Sequence, residues 1–251
     1  MTKQFLCEWK KTKGKLVSIL LPVLTLLLVW IFWLIHDPDA EKLQDGYTYM
    51  TSTLILLNCI FMPATAAVMA SRMMDMENKG NTYKLLCTLQ KKSSIFACKL
   101  AVAAAHLTLY FAIQGFILFL MGQAVGLTEP FPLRDYLLLQ GVSLLTTVLL
   151  FILQIFFSLA FENQLYPLFF GLLGSFVGLF TQLLSPYSPI RYFLPWGYFA
   201  YGASSLMRYD ETAKTAYFIR IPFNAAGFAV LTAMLLISFL AVRGYFLRKD
   251  V

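Results

Sequence analysis

Long apolar runs separated by short polar segments dominate the chain. Positions 16 to 35 carry no charged residue, and a membrane-crossing helix needs about 20 apolar residues. Leu16–Ile35 meets that length. The pattern predicts further spans at Tyr47–Ala70, Ala97–Gly122, Tyr136–Ala160, Pro167–Leu184 and Ala225–Phe246. The first run is too long for a signal-peptide core and no small-x-small cleavage pattern follows it, so it reads as a retained anchor. In residues 1–15, Phe5 and Trp9 share a helix face and lysines cover much of the rest. That arrangement suits a short helix lying in the membrane interface. The expected fold class is therefore an all-α integral membrane protein, a single transmembrane domain over residues 1–251 with six spans. Two segments stand apart: 71–96 is an unusually long loop, and 185–224 is longer still and rich in proline and aromatic residues.

The first of these segments has its own periodicity. The second span can continue as a helix to about Glu77, where Gly80 stops it and Asn81 can cap a new short helix. Thr82, Leu85, Leu86 and Leu89 then fall on one apolar stripe, with Lys84, Lys91 and Lys92 off it. A helix of this kind buries its stripe in the bilayer interface or in a groove on a partner. The residues alone leave both open.

Composition and charge sharpen the picture. Of the 251 residues, 59% are hydrophobic and 13% charged, against about 25% charged in a soluble domain. The net charge of +7 comes from lysines beside apolar runs, which points to a membrane and away from nucleic acid. Lys3, Lys10, Lys11, Lys13, Lys15, the basic residues from Arg72 to Lys99, and Arg243, Arg248 and Lys249 fall on one side of a six-span arrangement. Only Lys42, Arg134, Arg191, Arg208, Lys214 and Arg220 fall on the other. The positive-inside rule then places both termini and 71–96 in the cytoplasm and 185–224 outside. Trp30, Trp33, Tyr47, Tyr49 and Tyr136 sit at span ends as interfacial anchors. Cys7, Cys59, Cys87 and Cys98 all avoid the outer loops, so no disulfide is expected.

Several chemistries find no support. Lys13-Gly14-Lys15 lacks the remainder of a phosphate loop, with Trp9 at the first glycine position and Leu16 after the lysine. ATP hydrolysis by this chain is not expected. His36 and His106 lie on different segments and form no H-E-x-x-H. His106 reads as a neutral imidazole bonded to a neighbouring helix, because no acidic partner is visible at span depth to make a proton relay. Asn58, Gln114, Gln154 and Gln182 read as polar glue between helices. Gly171, Gly174 and Gly178 make a close-packing face suited to a subunit interface or to packing within one chain. No convergent set of nucleophiles or carboxylates appears, and Glu162 reads as a solvated helix-end residue. Catalytic, cofactor and metal sites are accordingly not assigned.

The loop at 71–96 resembles that of the permease subunits of type-2 ABC exporters. Glu77, Gly80, Thr82, Leu85, Leu86 and Lys99 match the pattern of that family, as does the 5–15 segment. The wording Gly80-Asn81-x-x-Lys84-Leu85-Leu86 looks most like the branch protecting bacteria from lantibiotics and bacitracin. Gln90 stands where such exporters commonly carry proline. The resemblance implies an ABC-2 exporter fold with an N-terminal interfacial helix and a cytoplasmic coupling helix. A separate ATPase, in two copies and carrying ATP and Mg, would bind at Glu77, Gly80, Asn81, Thr82, Lys84, Leu85, Leu86 and Leu89. A second permease chain, identical or related, would complete the unit in the bacterial plasma membrane, with an amphipathic peptide as substrate. Pro189, Pro195, Trp196 and Tyr198 resemble the extracellular re-entrant gate, which an interfacial aromatic loop would also explain. The alternatives are a membrane-embedded enzyme acting on lipid or peptide, and a sensor or assembly partner.

Overall fold

Helix α1 runs unbroken from Thr2–Ile35 with Pro22 inside it. The stretch expected to lie separately in the interface is thus continuous with the first span, because nothing between Lys10 and Leu16 breaks the helix. Gly14 sits in open space there and has neighbours of good helix propensity on both sides. The structure is a computed structural model that describes residues 2–35, 45–79, 82–161, 163–184, 188–210 and 215–248. After α1 come α2 (Gly46–Lys79), the short α3 (Thr82–Leu89), α4 (Lys92–Val125), α5 (Leu133–Ala160) and α6 (Leu165–Gln182). Two 3-10 turns follow, η1 (Pro189–Phe193) and η2 (Pro195–Gly202), then strands β1 (Ser205–Asp210) and β2 (Thr215–Arg220), and finally α7 (Ala225–Arg248). Among the described residues, six helices are long and apolar enough to cross a membrane: α1, α2, α4, α5, α6 and α7.

Burial separates the helices into a centre and a rim. In α2 and α5, 67% of the most apolar window is buried; in α1, α6 and α7 the shares are 28%, 33% and 22%. Helix α2 packs against α1, α5 and α6, while α5 also holds η2 and α7. The principal core runs through α1, α2, α4, α5 and α7, with Leu27, Leu54, Val102 and Phe151 fully enclosed. The rim helices turn Phe176, Phe180, Leu236 and Leu240 outward, as expected where the solvent is hydrocarbon.

Helix ends are closed by specific contacts. Gly126, at φ 79°, ends α4: its N–H donates to the Gln123 carbonyl at 3.2 Å, and the Leu127 N–H donates to Gly122 at 3.1 Å. This is a Schellman closure, which favours glycine in the left-handed region. At the start of α2, the Glu129 carboxylate accepts from the Thr48 N–H at 2.9 Å and the Thr48 hydroxyl at 2.6 Å. It satisfies donors that every helix start leaves open and complements the positive end of the helix dipole.

The region from 185 to 224 holds a feature the sequence analysis did not predict. Strands β1 and β2 pair antiparallel, Leu206 opposite Ile219 and Met207 opposite Phe218. Neither Leu206-Met207-Arg208 nor Tyr217-Phe218-Ile219 alternates apolar with polar residues, so the two-residue period that marks a half-buried strand is missing there.

Candidate functional site

The end of the bundle that carries the termini is built around α3, an eight-residue helix between two spans. Helix α2 continues well past Ala70 to Lys79, and α4 begins at Lys92, so most of the expected loop is helical. Gly80 and Asn81 lie outside the described residues, as does Glu162. The backbone places Thr82, Lys84, Leu85, Leu86 and Leu89 on α3 and Glu77 near the end of α2. The stripe divides: Leu86 and Cys87 are half-buried against the chain's own core, while Leu89 is 73% exposed.

Below α3, the termini end is locked by polar contacts that sequence reasoning missed. Lys99 on α4 is 1% exposed, and its Nζ lies 2.8 Å from a carboxylate oxygen of Glu8 on α1. The same ammonium donates to the Met73 carbonyl of α2 at 3.2 Å. Ser94 donates to Gln4 at 2.5 Å, and Arg243 of α7 donates to Ser93 at 3.0 Å. Four helices meet there. Burying a charge is tolerable when it is paired and hydrogen-bonded. The signal in the sequence was Glu8, an acid among lysines adjacent to the Phe5–Trp9 face.

His106 lies on that same side. Its Nδ1 is 2.8 Å from the Val102 carbonyl in its own helix, and its ring stacks on Trp9 of α1 with centroids 4.0 Å apart. The partner is thus a carbonyl one turn back and an aromatic face, not a polar group of another helix. Gln114 accepts from Gln140 at 2.9 Å, joining α4 to α5. Gln154 donates to the Pro167 carbonyl, and Gln182 donates to the Cys59 sulfur at 2.9 Å. Asn58 is buried, and both of its polar side-chain atoms lack a partner.

At the opposite end, the four residues expected to form a gate occupy the 3-10 turns. Pro189 opens η1 and Pro195 opens η2, where a missing N–H costs nothing. Tyr198 is fully buried and donates to the Tyr192 carbonyl at 2.6 Å. Trp196 fills a notch on α6: a Cβ on Gly174 would collide with its indole, and one on Gly178 would lie 2.9 Å from its carbonyl oxygen. Gly171 faces Ala67 of α2. The glycine face therefore packs within the chain, against η2 and α2.

That packing measures how far the segment dips. Gly174 is eight residues before the end of α6 at Gln182, so the Trp196 ring reaches about 12 Å below the helix end at 1.5 Å per residue. Non-helical backbone at such depth is tolerated where protein surrounds it, and η2 touches α2, α5, α6 and α7. Arg191 anchors the entry. It is 5% exposed, and its Nη2 donates to the carbonyls of Thr181 at 2.7 Å and Leu184 at 2.6 Å, closing the C-terminus of α6. Burial lowers its pKa from the ordinary guanidinium value.

A cavity of about 430 Å³ opens beside this segment, between the distal ends of α1, α2 and α6 and strand β1. Trp30, Tyr49, Gln182 and Arg191 line it.

No curated protein and no solved structure matches the chain. Residues 4–178 match the family model described as an ABC-2 family transporter protein, a stretch covering α1 to α5 and most of α6. With six spans, a short helix between the second and third, and this match over more than half its length, the chain belongs to the ABC-2 family of transporter proteins, as a multi-pass membrane permease.

Proposed function

We propose that this permease is the membrane subunit of an ATP-driven exporter that removes an amphipathic peptide antibiotic, of the bacitracin or lantibiotic kind, from a bacterial plasma membrane. A separate ATPase in two copies supplies the energy, and a second permease chain, identical or related, completes the pathway. Both termini and α3 face the cytoplasm, and the 185–224 region faces outward. The observation that carries this reading is Leu89, a large apolar residue 73% exposed on a short helix at the lysine-rich end. Exposed there, it suits a groove on a soluble partner. The Glu8–Lys99–Met73 contacts tie that end to three spans, so a push on α3 is delivered to the bundle as a unit. ATP-driven closure of the ATPase pair moves α3, and the spans and the Trp196 segment follow. The membrane segments hold few charges, which favours an apolar or amphipathic cargo over an ion.

The test is purification of this chain from its native host in mild detergent with mass spectrometry of what accompanies it. The reading expects a stoichiometric soluble chain with a phosphate-loop sequence and two permease positions. It further expects cells lacking the chain to become sensitive to bacitracin or a lantibiotic. Recovery of the chain alone, where a known ABC exporter stays intact, overturns the ATPase partnership; unchanged sensitivity overturns the substrate assignment.

A further inference from the structure

The cavity beside Arg191 has a chemistry of its own. Its volume of about 430 Å³ lies in the range of small-ligand sites, roughly 300–1,000 Å³. That is room for the end of a peptide, not for a folded one. Trp30 and Leu56 supply apolar wall, and no aspartate or glutamate is among the described lining residues. Among the described lining residues Arg191 is the only cation. Both of its hydrogen bonds leave from Nη2, and its buried Nε has no partner. A buried guanidinium with donor capacity unspent favours an anion. The two carbonyls that accept from it solvate its charge without neutralising it.

Strand β1 adds a second element. Ser205, Leu206 and Met207 are consecutive in the cavity wall. The sheet has two strands, so among the described residues β1 pairs only with β2. An unpaired strand edge offers main-chain donors and acceptors to an extended peptide. A lipid head group has no use for such an edge.

We infer that this cavity binds the free C-terminal end of an apolar peptide, its carboxylate on Arg191 and its side chains against the Trp30 wall. The identity of the ligand as cargo rests on the peptide-export reading; its chemical class rests on the cavity.

The experiment uses the full chain in lipid nanodiscs and fluorescence anisotropy of an N-terminally labelled Leu-Phe-Val tripeptide, as free acid and as C-terminal amide. The acid should bind saturably and about tenfold more tightly than the amide, the size of one charged hydrogen bond. Arg191→Gln should erase the difference. Thr53 also lines the cavity, and Thr53→Phe should weaken both peptides by about tenfold or more by filling it. Equal binding of acid and amide overturns the inference, as does an acid preference that survives Arg191→Gln. If Arg191→Gln fails to fold, undiminished binding to Thr53→Phe overturns it instead. Displacement by dodecyl phosphate but not by unlabelled acid peptide also overturns it, in favour of a lipid head group. Binding is read without ATPase or transport, so a negative result leaves the export reading intact, and a failure of export leaves a positive binding result intact.

Discussion

Glu8 and Lys99 are 91 positions apart and meet at 2.8 Å. Breaking a buried ion pair by removing one partner costs about 3–5 kcal/mol, because the other charge is left buried and unpaired. Lys99→Met should therefore lower the thermal unfolding midpoint in detergent strongly, and Glu8→Gln likewise. The double variant Glu8→Gln/Lys99→Met should recover a large part of the loss, since it leaves no orphaned charge. Additive losses in the double variant would show that the two groups do not act as a pair. Gly174 and Gly178 make a different residue-scale case. Their lack of a Cβ is what admits Trp196, so Gly174→Leu should cost about 1–3 kcal/mol through overpacking. It should also raise the quenching of Trp196 by acrylamide, in a chain whose other tryptophans are replaced by phenylalanine.

Helix α3 is the element on which the proposed coupling turns. Its two leucines with described side chains, Leu86 and Leu89, behave differently, and their variants should too. Leu89 is exposed, so Leu89→Asp should change stability by no more than about 0.5 kcal/mol while abolishing co-purification of the ATPase. Leu86 packs on the core, so Leu86→Asp should lower the unfolding midpoint, with the loss of partner secondary to that. Full retention of the ATPase by Leu89→Asp would remove Leu89 from the contact. The start of α2 offers a cleaner element-scale test. Glu129→Ala removes the acceptor for both Thr48 donors and should cost about 1 kcal/mol, the usual worth of a helix cap.

At the scale of the whole molecule, the prediction concerns sidedness. Cys7 is exposed near the start of α1, and Cys59 and Cys98 are buried. A membrane-impermeant maleimide added to intact cells should leave Cys7 unlabelled and react with a cysteine placed by Tyr217→Cys on the hairpin. After permeabilisation, Cys7 should react as well. Labelling of Cys7 in intact cells would reverse the proposed orientation. The six-span frame itself was legible in the sequence, because in hydrocarbon a backbone must satisfy its own hydrogen bonds and span length is dictated by the bilayer. The short helix between the second and third spans was legible as well, through Leu86 and Leu89 at helical spacing, whereas Pro189 and Pro195 marked a proline-rich outer segment without foretelling its 3-10 turns. What escaped was of another kind. The strand pair β1–β2 is short, and neither SLMRYD nor TAYFIR carries the two-residue alternation that would announce a strand. The unbroken α1 escaped because amphipathic and spanning stretches differ in composition yet share helical propensity.

Local chemistry thus determined the spans, their number and the glycines fit for close packing, since each depends on hydrophobic period, chain length or backbone freedom. Only the tertiary structure decided who the partners are. It set Trp196 into the Gly174–Gly178 notch, Lys99 on Glu8, Trp9 on His106, and Arg191 in a cavity walled in part by strand β1. Those pairings join residues far apart in the chain, and no periodicity records them. They follow from which helices share the centre of the bundle, and that is settled by packing over the whole chain.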